Sequence, residues 1–411
     1  MMKALAVILL LAAQLPAQNP IQHIVFIVKE NHSFDNVFGT FAGANGATTG
    51  LCGSTKVPLT HSALGPPNLP HDWNPARTSI DNGKMDGFCQ ITPNYGSYIQ
   101  YYQSDIPNYW TYAQQFVLAD NFFSSLTGAS FGNHLYLTAA TSNEFVTDPK
   151  FPNGPDDTDW GCDAPADATA ARIPNPHKSQ TFVWTFPCME ATTLSDLLDG
   201  AGLSWHYYAP AEGQPGYIWS IFDSVPHIRY GKEWTTNISL PQDFLVDLTQ
   251  KDTLANFTWI APEWGFSEHP KANICDGENW SVAQVNAIMQ SKFWESTVIF
   301  IAWDDWGGYY DHVPPPSVDY FGLGIRVPMI IISPWVRAKT VIHTQYEFAS
   351  VLKFAEETFK LAQLTKRDKK ANDMMDAFDF NQTPLSPLLL KPHKCSEESA
   401  APSQEDLDDP D

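Results

Sequence analysis

Two apolar runs in this sequence end in adjacent oxygen-bearing side chains. In the first, Ile24 to Val28 leads through Lys29 into Glu30 and Asn31; in the second, Thr297 to Ala302 leads through Trp303 into Asp304 and Asp305. Such runs read as buried strands, so each pair is delivered at a strand's carboxyl end. Neighbouring carboxylates repel unless a cation sits between them. Four oxygen donors suit a hard divalent ion such as calcium, magnesium or manganese, with zinc also accommodated. The plainer reading of the same acids is loop and helix-cap residues. A third constellation runs from Ser124 to Leu137, with small residues before Ser130 and a helix-like stretch after it. A hydroxyl at a helix start faces backbone N–H groups and the positive dipole end, which favours an alkoxide and a bound phosphate alike. An ordinary N-cap serine has the same spacing. Among the histidines, His71, His134 and His269 stand in motif-like surroundings, and His206 in Trp205-His206-Tyr207 is a further candidate. A neutral imidazole ligates metal, and a protonated one holds a phosphoryl oxygen or protonates a leaving group.

Positioning these groups requires a scaffold of alternating strands and helices. Ile24 to Val28, Trp205 to Tyr208, Phe257 to Ile260, Thr297 to Ala302 and Met329 to Ile332 read as buried parallel strands. Helical periodicity marks Thr193 to Asp199, Ser281 to Trp294 and Phe348 to Leu361. The expected fold is therefore α/β: a doubly wound, mostly parallel central sheet with helices on both faces and ligands at the carboxyl ends of the strands. Thr40 to Asn82 and Thr147 to Phe186, rich in Pro, Gly, Asn and Asp, are expected to be long loops over the active face.

The chain has 411 residues, with 24 Lys+Arg against 46 Asp+Glu, a net charge of -22. That balance repels phosphate backbones and argues against nucleic-acid binding. Residues 1–17, with Lys3, a short apolar stretch and Ala17, read as a secretory signal that is removed. No other apolar stretch is long enough for stable membrane insertion, so a secreted or periplasmic location is expected. Six cysteines in no CxxC spacing are compatible with up to three disulfides, whose pairing stays open. Residues 18–395 read as one catalytic domain and 396–411 as an acidic, disordered tail.

The segments Glu30 to Asp35 with Phe38-Gly39, His71-Asp72-Trp73, Gly83 to Phe88, Asp105 to Trp110, Ala119 to Phe123, Glu268-His269-Pro270, Asp304 to Pro315 and Arg326 to Trp335 occur in one order across the chain. As a set they resemble the bacterial phospholipase C and acid phosphatase phosphoesterases, whose fold is similar to that of the alkaline phosphatase superfamily. The resemblance implies a metal held by Glu30, Asn31, Asp304 and Asp305, a nucleophile at Ser130, and His71, His206 and His269 as phosphate-binding or acid–base groups. Family phospholipases C often carry threonine in a Thr-x-Pro-Asn-Arg type motif, whereas Ser130-Phe131-Gly132-Asn133-His134 is more similar to the acid phosphatase branch. The implied activity is a secreted, metal-dependent hydrolysis of small phosphate esters through a phosphoserine. A phospholipase C releasing diacylglycerol from phosphatidylcholine, with its phospholipid headgroup as partner, is the alternative. A sulfatase-like hydrolase or an inactive binding protein are more distant readings.

Overall fold

The computed structural model describes residues 19–151 and 159–396. The expected leader, residues 1–17, and the expected tail beyond Ser396 lie outside them.

Eight strands form the central sheet: β1 (His23–Lys29), β2 (Val117–Ala119), β3 (Trp205–Tyr208), β4 (Ile238–Ser239), β5 (Phe257–Ile260), β6 (Thr297–Trp303), β7 (Met329–Ile332) and β8 (Thr340–Ile342). Their spatial order is β4-β3-β5-β1-β6-β7-β2-β8. β1 and β6 are central and apolar between their end residues, from Ile24 to Val28 and from Val298 to Ala302, so they are covered on both faces as their composition demands. β1 pairs in parallel with β5 on one side and β6 on the other.

One expected strand direction is corrected. β7 runs antiparallel to both neighbours, β6 and β2. The segment from Asp304 to Pro328 contains no helix to carry the chain across a face of the sheet, and it re-enters the sheet at the carboxyl end of β6. A parallel return would need a crossover of a dozen or more residues, usually helical.

Helices cover both faces. The labels used below are α1 (Trp73–Ile80), α2 (Pro107–Gln115), α3 (Ser130–Ala139), α4 (Leu194–Ala201), α5 (Asp243–Thr249), α6 (Ile274–Gln290) and α7 (Phe348–Phe359). α3 packs with α4 and α7 on one face, and α6 packs with α2 and α5 on the other. α6 begins seven residues before its expected start because the Asn273 side chain caps it, accepting from the Cys275 amide at 2.9 Å. α4 runs through Gly200 and ends at Gly202, whose φ of +70° is the left-handed turn that glycine adopts freely.

The expected long loops hold more structure than their composition suggests. Thr40 to Asn82 contains the hairpin Thr49–Cys52/Thr55–Pro58 and α1, and the second stretch contains the pair Ala170–Arg172/Val183–Thr185. Two disulfides tie these excursions down, Cys52–Cys89 and Cys162–Cys188, and a third is Cys275–Cys395. The last bridge links α6 to the end of the described chain.

Candidate active site

Pleating decides where the strand-end residues point. Phe26 on β1 and Phe300 on β6 are register partners and meet α7 through Phe348 and Phe354. Alternation carries that face on to Glu30 and Asp304, four residues further along each strand. α3 lies on the same side, where Trp259 of β5 donates its indole N–H to the Leu137 carbonyl at 3.0 Å. Ser130 and His134, four residues apart, occupy one side of the first turns of α3.

The result is one buried polar cluster. His134 Nε2 is 3.1 Å from Glu30 Oε1 and 3.6 Å from Asp304 Oδ2. One ligand-capable atom from each of these three residues lies within 4.8 Å of the others. The Asn31 amide donates to Asp304 Oδ1 at 3.0 Å, and the Ser130 hydroxyl donates to Asp305 Oδ2 at 3.2 Å. His71 Nε2 is 2.7 Å from Asn31 Nδ2 and 3.9 Å from Asp305 Oδ2. Its Nδ1 meets the Leu69 carbonyl at 2.5 Å, which places the ring proton there and turns Nε2 toward the cluster. Ser130 is 2% exposed and the others are fully buried.

The backbone around these groups is held tightly. Asn31 has a φ of +60°, a region that Asn visits more readily than other non-glycine residues. Gly307, also at +60°, approaches it so closely that a Cβ would stand 2.1 Å from the Asn31 carbonyl oxygen. Asn133 shapes the entry to α3: its Oδ1 accepts from the Leu126 amide, and its Nδ2 donates to the Gly128 and Ala129 carbonyls.

Behind the strand ends lies a second polar layer that sequence reasoning did not single out. Lys29 and Trp303, the residues before Glu30 and Asp304, point to the opposite face and converge on Glu268. Lys29 Nζ is 3.2 Å from Glu268 Oε1, the Trp303 indole donates to Oε2 at 3.0 Å, and the Tyr109 hydroxyl donates to Oε1 at 2.6 Å. Burial pushes the Glu268 carboxyl up to about 7, against the opposing pull of Lys29. The legible signal was a lysine at the end of an otherwise apolar buried strand, which demands an acid.

A second acidic group, Asp35, Asp311 and His312, carries its own cation. Arg326 reaches both carboxylates at 3.1 Å, and His312 Nδ1 lies 2.6 Å from Asp35. This is a buried ion network joining the segment after β1 to the one after β6.

The two other expected histidines, His269 and His206, sit on a loop and on β3. His269 follows Glu268 in its loop, close to the Trp219 and Trp264 rings, with Nδ1 3.1 Å from the Pro270 carbonyl. His206 has the opposite parity on β3 to Tyr207, the register partner of Trp259, so it faces away from α3. Its Nε2 meets Ser239 Oγ at 2.9 Å, and burial lowers its pKa.

Residues 21–362 match the Phosphoesterase family. The chain belongs to that family. It is a hydrolase of phosphoric-ester bonds. Among its relatives are Phospholipase C A of Mycobacterium tuberculosis, 25% identical over 436 aligned residues covering 89% of this chain and 78% of that protein. Non-specific phospholipase C1 of Arabidopsis thaliana is 24% identical, covering 89% of this chain and 72% of the relative. Among solved structures, a Vibrio parahaemolyticus protein described as in the alkaline phosphatase superfamily aligns with a TM-score of 0.44 at 11% identity, covering 88% of this chain and 71% of that one. No helix among the described residues is long and apolar enough to cross a membrane.

Proposed function

We propose that this phosphoesterase is an exported, metal-dependent phosphomonoesterase that works through a phosphoserine on Ser130. The observation that carries the reading is the Ser130 hydroxyl, at the first residue of α3, hydrogen-bonded to Asp305 one residue beyond the Glu30–His134–Asp304 group. Those three side chains fit a divalent cation. They bring two carboxylates and an imidazole together in the interior, and Asp304 Oδ2 has no hydrogen-bond partner among the described residues. A donor set containing imidazole suits zinc or manganese better than calcium. His134, first considered with the acid–base histidines, belongs in this reading to the metal ligands. Asn31 and Asp305 complete the set inferred from the family resemblance.

A divalent ion held there supplies positive charge that favours the serine alkoxide and the phosphoryl oxygens. Asp305 accepts the Ser130 hydroxyl hydrogen bond and orients Oγ for attack on phosphorus. As the Ser130 Oγ–P bond forms, the hydroxyl proton passes to Asp305, the bond from phosphorus to the ester oxygen breaks, and the departing alcohol takes a proton. His71, whose Nε2 faces the cluster, is positioned to hold that proton. Water then attacks the phosphoserine, releasing phosphate and regenerating the hydroxyl. His269 is kept as a phosphate-side group; His206 has no part in this scheme.

A sulfatase-type nucleophile made from cysteine is excluded, because all six cysteines are paired. The three bridges also support export to an oxidising compartment. The second reading, phospholipase C, is favoured by the names of the relatives. The deciding experiment follows phosphate release from p-nitrophenyl phosphate and diacylglycerol release from phosphatidylcholine vesicles in one metal-loaded preparation. Faster phosphate release supports the phosphomonoesterase, and faster diacylglycerol release makes the chain a phospholipase C.

A further inference from the structure

Beside the candidate site lies a cleft of about 490 Å3 between α1 and the segment from Pro315 to Leu323. Two of its lining residues are close to the site along the chain, Trp73 two residues from His71 and Thr127 three from Ser130. At about 3.6 Å per extended residue, those wall Cα atoms lie within about 7 Å of His71 and about 11 Å of Ser130. That is the reach of a small ester.

The cleft is electrostatically uneven. Its acid, Asp319, is already engaged by Arg367, with Nε to Oδ2 at 2.9 Å and Nη2 to Oδ1 at 2.8 Å. Its cation, Arg77, is exposed and makes no ion pair among the described residues; the guanidinium lies 5.6 Å from the centre of the Trp73 ring. Tyr320 stacks with Trp73 at 6.0 Å, and its buried hydroxyl has no hydrogen-bond partner among the described residues. An unpaired guanidinium and an unused hydroxyl over an aromatic wall together match an anionic group on an otherwise apolar or planar body.

We propose that this cleft receives the alcohol side of the ester, and that Arg77 with Tyr320 selects soluble substrates whose leaving group carries a second anionic group, a carboxylate or a further phosphate. The inference rests on the phosphomonoesterase reading. It also bears on choline: a trimethylammonium group placed here would meet the like charge of Arg77.

The test compares 4-carboxyphenyl phosphate with 4-carbamoylphenyl phosphate, which have nearly the same shape and differ in charge at the far end. The wild-type protein is expected to favour the carboxylate ester in kcat/KM by about tenfold, as for a charge-assisted contact. Arg77→Ala is expected to bring that ratio to about one, and Arg77→Lys to retain most of it. Equal rates on the two esters in the wild type, or an undiminished ratio in Arg77→Ala, overturns the subsite while leaving the phosphomonoesterase standing. Hydrolysis of neither ester overturns both.

Discussion

Ser130 and His134 illustrate how far single residues could be read. Ser130 was recognisable because small residues precede it and a helix follows. Its four-residue spacing from His134 already put both on one side of that helix, but sequence alone did not say that the histidine would meet Glu30. That contact depends on how α3 lies across the end of β1, a tertiary fact with no local signature. The strand-end acids were legible for a simpler reason: adjacent oxygen donors end two buried apolar runs, although loop and cap residues can show the same spacing. Their arrangement predicts a specific loss. Asp304→Asn keeps the shape of the side chain but removes a charge from the Glu30–His134–Asp304 group. It is expected to lower zinc or manganese retained after gel filtration by tenfold or more, with far-ultraviolet circular dichroism unchanged. Wild-type metal content in the variant would remove Asp304 from the ligand set.

Strands β1 and β6 act as a pair because each contributes to both polar layers. Glu30 and Asp304 face α3, while Lys29 and Trp303 face Glu268. A buried ion pair is costly to break by halves, since removing one partner strands the other charge, at about 3–5 kcal/mol. Glu268→Ala should therefore lower the unfolding free energy by about that amount, while the double variant Lys29→Met/Glu268→Gln recovers much of it. Denaturant unfolding of the wild type, single and double variants measures this, and additive losses in the double variant would contradict the pairing. The strands themselves were largely visible from their apolar runs. β7 was read with the wrong direction because orientation depends on the connection, and the segment after Asp304 contains no crossover helix. The three-residue strands β2 and β8 were missed because so short a run carries no periodicity. α1 was hidden in a segment whose Pro and Asn content reads as loop, although Asp72 caps it, its carboxylate accepting from the Trp73 amide.

At the scale of the whole molecule, charge and burial act in the same direction. The formal net charge of -22 is self-repulsive and counts every acid as ionised, so it is reached in full only once the last buried acids have titrated. Burial, with the Asp368 carboxyl beside it, pushes Glu356 up to about 9, and burial with neighbouring Asp163 pushes Asp223 up to about 8. For acids whose folded pKa is raised, the native state binds more protons than the unfolded chain. Their contribution to stability is full below the ordinary carboxylate range and is lost as pH rises through the folded values. The melting temperature is expected to fall between pH 7 and 9, where ordinary carboxylates and histidines have finished titrating, and Glu356→Gln is expected to flatten that fall. A melting temperature that rises over the same interval would contradict this assignment. Composition made the charge legible, but which carboxyls are buried together depends on the packing of α7 against the segment that follows it.

Acid quench during turnover of a phosphomonoester labelled in its phosphoryl group tests the central claim most directly. The label is expected on the peptide containing Ser130, and Ser130→Ala is expected to abolish both the label and the turnover while retaining bound metal. Label recovered on Ser33 or Ser125, or full turnover by Ser130→Ala, would contradict the account.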